Sequence, residues 1–319
     1  MKAVRIHEYG SPDVLRYEDV DEPEPAPDEV RVRVRAAGVN PVDWMTRKGL
    51  VERDELPWTV GWDAAGVVDA VGSDVSDLEV GDEVYGLLEF EYGGGAYAEA
   101  VTAPADELVR KPASLSFEEA AGVPMAALTA WQALDAVDVE AGDRVLIHAA
   151  AGGVGHFAVQ FAKQQGLHVI GTASGSNEEY LRELGVDEFV NYREQRFEEV
   201  LDPVDGVVDG VGGETFDRSL EILNEGGIID KLPSPPTPEQ QDLADDQGVE
   251  AIMTNVRWNG DWFEAITELL ADGTVSVTLD TVLPLSEAKE AHRLSEEKHA
   301  RGKIILTPGD GRDDEPASN

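Results

Sequence analysis

The stretch "AAAGGVGHFAVQ", Ala149 to Gln160, constrains this chain most, because it joins the apolar run "DRVLI" to a helix-like segment through glycine. Ala150, Gly152 and Gly155 occupy the three positions of G-x-G-x-x-G, with alanine first. The second position lets backbone approach a pyrophosphate, the third lets helix pack on strand, and the helix N-terminus favours an anion. Taken alone, the motif also fits a ligand-free strand-to-helix turn. Its surroundings favour the cradle, since strand and helix patterns alternate after it. "HVIGTAS" leads to "NEEYLRELG", "EFVNY" to "REQRFEEVL", "GVVDGVGGE" to "TFDRSLEIL", and "GGIIDKL" adds a strand. Parallel βαβ units of this size predict an α/β, Rossmann-type doubly wound sheet.

The first third has a different period. "EVRVRVRAAGV" alternates apolar and charged residues, and "AAGVVDAVG", "VGDEVYGLL" and "AYAEAVTAP" are further short strands bounded by Gly, Pro and Asp. Such spacing predicts a β-rich barrel or sandwich. "SFEEAAGVPMAALTAWQAL" starts on Ser116 with Glu119 three residues on, a capping box, and reads as one helical stretch. After "AIMTNV" come a helix, "DWFEAITELLADG", and a closing strand, "HARGKIILTP". The polar tail "GDGRDDEPASN" is expected to be disordered.

Composition removes several classes of function. The 319 residues hold 65 acidic against 25 basic side chains, a net charge of −40, yet 42% are hydrophobic, enough for sizeable cores. So acidic a surface repels nucleic acid and anionic membranes, and dispersed acids suit a salt-loving, halophilic host. With no cysteine there is no disulfide, thiolate nucleophile or Cys-ligated zinc. "MKAVRIHEYG" has no apolar core of a signal peptide, and no apolar run is long enough to span a bilayer, so a cytoplasmic location is expected.

An NAD-preferring unit carries Asp or Glu about 20 residues beyond the glycines, on the ribose 2′-hydroxyl. Here Ala173 and Ser174 stand there. Without a carboxylate a 2′-phosphate is not repelled, and Ser174 can donate to it; a plain strand-end serine is the other reading.

At this point the chain resembles a family. "AGVNPVDWMTRKG", "GWDAAGVVDAVG", "GDEVYG", "ALTAWQAL", "HAAAGGVG", "LGVDEFVNY", "DGVGGETFDRSL" and "HARGKIIL" fall in the order seen in zinc-independent medium-chain dehydrogenase/reductases, quinone oxidoreductase-like branch. The resemblance covers residues 1–307. It implies a GroES-like catalytic domain at 1–121, a Rossmann NADP-binding domain at 122–256, a return to the catalytic domain at 257–307, and an acidic tail at 308–319. It also implies NADPH in a cleft, and a homodimer. It places Asn40 near the nicotinamide and Thr129 near its carboxamide, both as catalytic and cofactor-contacting residues. Ala151, Gly152, Gly153, Val154 and Gly155 would hold the pyrophosphate, Ser174, Asn177 and Tyr192 the adenosine phosphate, and Val211 would line the next strand-end loop. A turn Asn, a helix Thr and a core aromatic remain the bland alternatives, as structural carboxylates do for Asp43 and Asp63.

Zinc-dependent relatives ligate metal where this chain has Asn40, Trp62 and Asp63. An indole nitrogen has no lone pair for a metal, and the stretch "LLEFEYGGGAYAEA" replaces a cysteine-rich lobe. The six histidines show no ligand spacing, so no metal is expected. An unactivated alcohol then has nothing to lower its hydroxyl pKa, whereas quinones and α,β-unsaturated carbonyls are electrophilic without help. Two departures stand out. The lysine that many relatives carry for the 2′-phosphate is missing, leaving Arg193 nearest, and Met45, Leu50 and Val51 stand where some relatives place substrate-facing tyrosines. The expectation is hydride transfer from NADPH to a quinone or enone. A 2-enoyl thioester reductase and a catalytically weak NADPH-binding protein are the alternatives.

Overall fold

The structure, a computed structural model, describes residues 1–53, 55–88 and 94–309. It divides into two compact units, Met1–Met125 with Trp258–Thr267 and Leu279 onward, and Ala126–Arg257 with Glu268–Thr278.

In chain order the first unit supplies β1 (Lys2–Ile6), β2 (Leu15–Asp19), β3 (Glu29–Val39), α1 (Pro41–Arg47), β4 (Trp58–Thr59), β5 (Asp63–Val71), β6 (Glu83–Leu87), β7 (Ala100–Pro104), β8 (Leu108–Arg110) and α2 (Phe117–Ala121). There follow α3 (Pro124–Ala136), β9 (Arg144–Ile147), α4 (Gly155–Gln164), β10 (His168–Ala173), α5 (Glu178–Glu183), β11 (Glu188–Asn191), α6 (Phe197–Val200), β12 (Val204–Asp209), α7 (Glu214–Leu220), β13 (Leu223–Lys231), α8 (Pro238–Gln247) and β14 (Glu250–Ile252). The chain ends with α9 (Gly260–Ala271), β15 (Leu279–Pro284), α10 (Ala288–Glu297) and β16 (Lys303–Thr307).

In the first unit, the alternation read in "EVRVRVR" is the pleat of β3. Val30, Val32 and Val34 are buried, while Arg31 donates to Asp69 Oδ1 on β5 at 2.8 Å from the opposite face. Strands run in the order β15-β16-β3-β5-β6-β8, with β7 also on β3, and a smaller sheet has the order β2-β1-β4. A core including Val4, Ile6, Val32, Val84, Leu88, Ile304 and Leu306 joins sheet to helix. Each such side chain, once buried, stabilises the fold by about 1.5–3 kcal/mol.

The expected single helix from Ser116 is two. The capping box forms, Ser116 N–H donating to Glu119 Oε2 at 2.8 Å and Glu119 N–H to Ser116 Oγ at 3.1 Å. The helix then stops at Gly122, because Pro124 disfavours helical backbone at the residue before it and starts α3 afresh.

The second unit holds a wholly parallel sheet in the order β11-β10-β9-β12-β13-β14. By sequence rank that is 3-2-1-4-5-6, the Rossmann order, whose switch point lies between β9 and β12. Leu146, Ile170, Val207, Phe216 and Ile229 are in its core. The acidic tail falls outside the described residues from 310 onward, as do residues 89–93 of the stretch that replaces the cysteine-rich lobe.

Candidate active site

The glycine loop opens at the switch point, off the end of β9. Ala149 takes the left-handed conformation there, with φ 50°, and Gly152 N–H donates to Ala149 O at 2.8 Å to close the turn. The glycines serve space rather than conformational freedom. A Cβ on Gly155 would lie 2.3 Å from Ala149 O and 2.7 Å from Ala150 Cα, so only glycine lets α4 seat on the strand. A Cβ on Gly152 would meet only Ala149 O, at 3.2 Å, and would otherwise enter open space. Ala151, Gly153 and Val154 complete the loop, and α4 begins at Gly155 with no side chain capping it, His156 N–H donating to Gly152 O and Phe157 N–H to Val154 O, each at 3.1 Å.

His148, beside this loop, is a satisfied core histidine. Nδ1 bonds Thr172 Oγ1 and Nε2 bonds Ser219 Oγ, each at 2.9 Å. Burial, with Arg218 nearby, pushes its pKa down to about 3, so it is neutral at physiological pH.

At the end of β10, Ala173 is buried and Ser174 partly exposed. Ser174 Oγ lies 3.1 Å from Ser176 Oγ and accepts from Asn177 Nδ2 at 3.3 Å. Tyr192, half exposed, follows β11 and donates its N–H to Ala173 O, with the Arg193 guanidinium 5.8 Å from its ring. At the end of β12, buried Asp209 accepts from Val211 N–H at 2.8 Å and Gly212 N–H at 3.0 Å, holding Val211 outward and exposed. The loop residues, Ser174, Asn177, Tyr192 and Val211 thus lie beyond the C-terminal ends of neighbouring strands of one parallel sheet. Thr129 stands partly buried on α3.

Asn40 belongs to a buried polar cluster of the first unit. It caps α1, and its backbone N–H donates to Asp43 Oδ2 at 2.7 Å, an atom that also accepts from the Tyr97 hydroxyl at 2.7 Å. The Asn40 carboxamide faces the other way. Its Nδ2 donates to Asp63 Oδ2 at 2.9 Å, and its Oδ1 accepts from Lys303 Nζ at 2.5 Å. Asp63 Oδ1 accepts the Met125 N–H at 3.0 Å. Burial raises the pKa of Asp43, to about 7, and of Asp63, and lowers that of Lys303. Sequence reasoning missed Tyr97 and Lys303. A single lysine at the head of the apolar run "KIIL", in a chain short of cations, was the available signal.

Comparison with known proteins shows the family. A model described as alcohol dehydrogenase GroES-like domain matches residues 26–113, and one described as zinc-binding dehydrogenase matches residues 184–306. The chain is 34% identical to a chloroplastic NADPH-dependent alkenal/one oxidoreductase of Arabidopsis thaliana, over 97% of this chain and 80% of the relative. The chain belongs to the medium-chain dehydrogenase/reductase family. The solved quinone oxidoreductase of Coxiella burnetii matches this dehydrogenase/reductase with a TM-score of 0.91 and 37% identity, over 96% of this chain and 99% of that one. The Escherichia coli quinone oxidoreductase, solved in complex with NADPH, matches with a TM-score of 0.89 and 29% identity, over 97% and 100%.

The description of one matching model names zinc, and the residues at the corresponding positions do not fit it. Trp62 offers no lone pair. The oxygens of Asn40 and Asp63 face the Lys303 ammonium, 2.5 Å and 3.7 Å away, which repels a second cation. Among the described residues there is no group of three or more His, Asp or Glu arranged to hold a metal. The dinucleotide does fit, in the open space before Gly152 at the N-terminus of α4.

Proposed function

We propose that this medium-chain dehydrogenase/reductase reduces quinones or α,β-unsaturated carbonyls with NADPH, without a metal. Bound NADPH supplies the hydride. The loop Ala151–Gly155, at the start of α4, holds its pyrophosphate, and Ser174, Asn177 and Tyr192 hold the adenosine 2′-phosphate end. Val211 packs against the cofactor, Thr129 orients the nicotinamide carboxamide, and Asn40 gives a hydrogen bond at the reacting end. Solvent or the cofactor ribose returns the proton.

The observation that carries this reading is the ammonium of Lys303 against the Asn40 and Asp63 oxygens. A site that offers no Lewis acid cannot stabilise an alkoxide that way, so the acceptor must spread charge by its own conjugation. The NADPH-dependent relative and the NADPH-bound neighbour support the cofactor. The net charge of −40 supports work in concentrated salt, and a homodimer is the assembly we propose. No helix among the described residues is long and apolar enough to cross a membrane.

The test is NADPH oxidation by purified protein with a simple quinone and with an enone, before and after EDTA. Turnover unchanged by EDTA, and no NADP⁺ reduction with ethanol, are expected. Stoichiometric zinc with activity lost on chelation overturns the reading.

A further inference from the structure

Three neighbouring strands place their ends around Asn40. β16 runs antiparallel to β3 with Ile304 opposite Val39, so one residue further brings Lys303 beside Asn40. On the other side β5 pairs with β3, Asp63 opposite Gly38. The closeness needs glycine at 38, where a Cβ would lie 2.3 Å from Ala121 O and 3.0 Å from the Asp63 side chain. Lys303, Asn40 and Asp63 are 3%, 2% and 0% exposed, so solvent does not compete for their bonds.

The chemistry of the neighbours decides how the amide sits. An ammonium only donates, a carboxylate only accepts, and a carboxamide does both. With Lys303 on one side and Asp63 on the other, oxygen must face the lysine and nitrogen the aspartate. A flipped amide would set NH2 against the ammonium and C=O against the carboxylate, losing both bonds in a dry site. The backbone is held as well, through the Asn40 N–H on Asp43. Of the two Nδ2 hydrogens, Asp63 takes one.

We propose that Lys303 is a positioning residue that, with Asp63, locks the Asn40 carboxamide so that it presents an N–H to the reaction. The group Asn40 meets must then be a hydrogen-bond acceptor, an oxygen of the nicotinamide carboxamide or of the carbonyl or quinone being reduced. This rests on the reading of Asn40 at the reacting end. A lysine serving only stability has no need to be there, since an apolar side chain of similar volume in place of a buried ion pair is often neutral or stabilising.

The experiment uses the full chain with selective ¹⁵N-asparagine labelling, the Asn40 side-chain pair being assigned by its loss in Asn40→Ala. In the unaltered protein these amide protons are expected to exchange at least tenfold more slowly than those of exposed asparagines. In Lys303→Met the protection is expected to vanish, kcat for a quinone or enone to fall at least tenfold, and NADPH Kd and acceptor KM to stay within twofold. Exposed-like exchange of Asn40 in the unaltered protein overturns the proposal even if Lys303→Met does not fold. So does a folded Lys303→Met that keeps either its Asn40 protection or its kcat. If the unaltered protein oxidises no NADPH with any acceptor, the proposed function fails, while the exchange data still decide the lock.

Discussion

The Tyr97 hydroxyl donates to Asp43 Oδ2 at 2.7 Å, with both side chains fully buried. Burial lifts the Asp43 carboxyl from 3.8 to about 7, against the opposing hydrogen bonds of Asn40 and Tyr97, with Asp63 adding to the rise and Lys303 opposing it. The folded state therefore holds this proton more tightly than the unfolded chain does. Its contribution to stability is full below about pH 3.8 and is lost as pH rises through about 7. Between pH 5 and 8 the stability of the wild type relative to Asp43→Asn should fall by roughly 2–3 kcal/mol. Urea unfolding of both proteins at each pH measures this, carboxylates not coupled to Asp43 cancelling in the difference. A difference that stays constant with pH is the opposing result.

The two loop glycines should separate binding from stability. Gly152→Val sets its Cβ 3.2 Å from Ala149 O and the rest in open space, so the variant should lose NADPH binding by fluorescence titration and less stability than Gly155→Ala. Gly155→Ala drives a Cβ into the Ala149 carbonyl and should destabilise by about 1–3 kcal/mol or more. Equal effects of both substitutions on the melting temperature would contradict this division.

Cofactor preference should respond at Ser174. Ala173 is buried, and a carboxylate there would suffer desolvation, whereas Ser174 is partly exposed beside Asn177. Ser174→Asp should lower kcat/KM with NADPH at least tenfold while NADH is affected little or improved. Unchanged NADPH kinetics would remove Ser174 from the phosphate site.

Salt should stabilise this protein. Its net charge of −40 repels itself in dilute buffer, and molar salt shortens the Debye length to about 3 Å. Melting temperature and turnover should both rise from dilute buffer to molar KCl. A melting temperature indifferent to KCl would contradict this.

What was legible in the sequence is what depends on neighbours along the chain. The pleat of β3 follows from alternating valine and arginine, the start of α2 from Ser116 and Glu119, and the glycine loop from its place between a strand and a helix. The break before Pro124 was also written there, but helical spacing on both sides of it masked the proline. Lys303 and Tyr97 were not legible, because their meaning comes from pairing across long sequence separations. Lys303 Nζ reaches a residue 263 positions away, and Tyr97 one 54 away. The left-handed residue of the loop is Ala149 rather than a glycine, which no local pattern announced.

The place of β16 between β15 and β3 bears on how the protein is made. On the ribosome, β3 emerges early, but the strand that covers one of its edges is encoded at the far end of the chain. At roughly 5–20 residues per second, that edge waits on the order of tens of seconds for its partner. The second unit has all its residues by Thr278 and can close first. The first unit is finished only when Lys303 to Thr307 arrive, so the strand that covers the edge of β3 also delivers the ammonium to Asn40. Nascent chains that stop before Lys303 would carry a complete Rossmann sheet and a first unit still lacking β16.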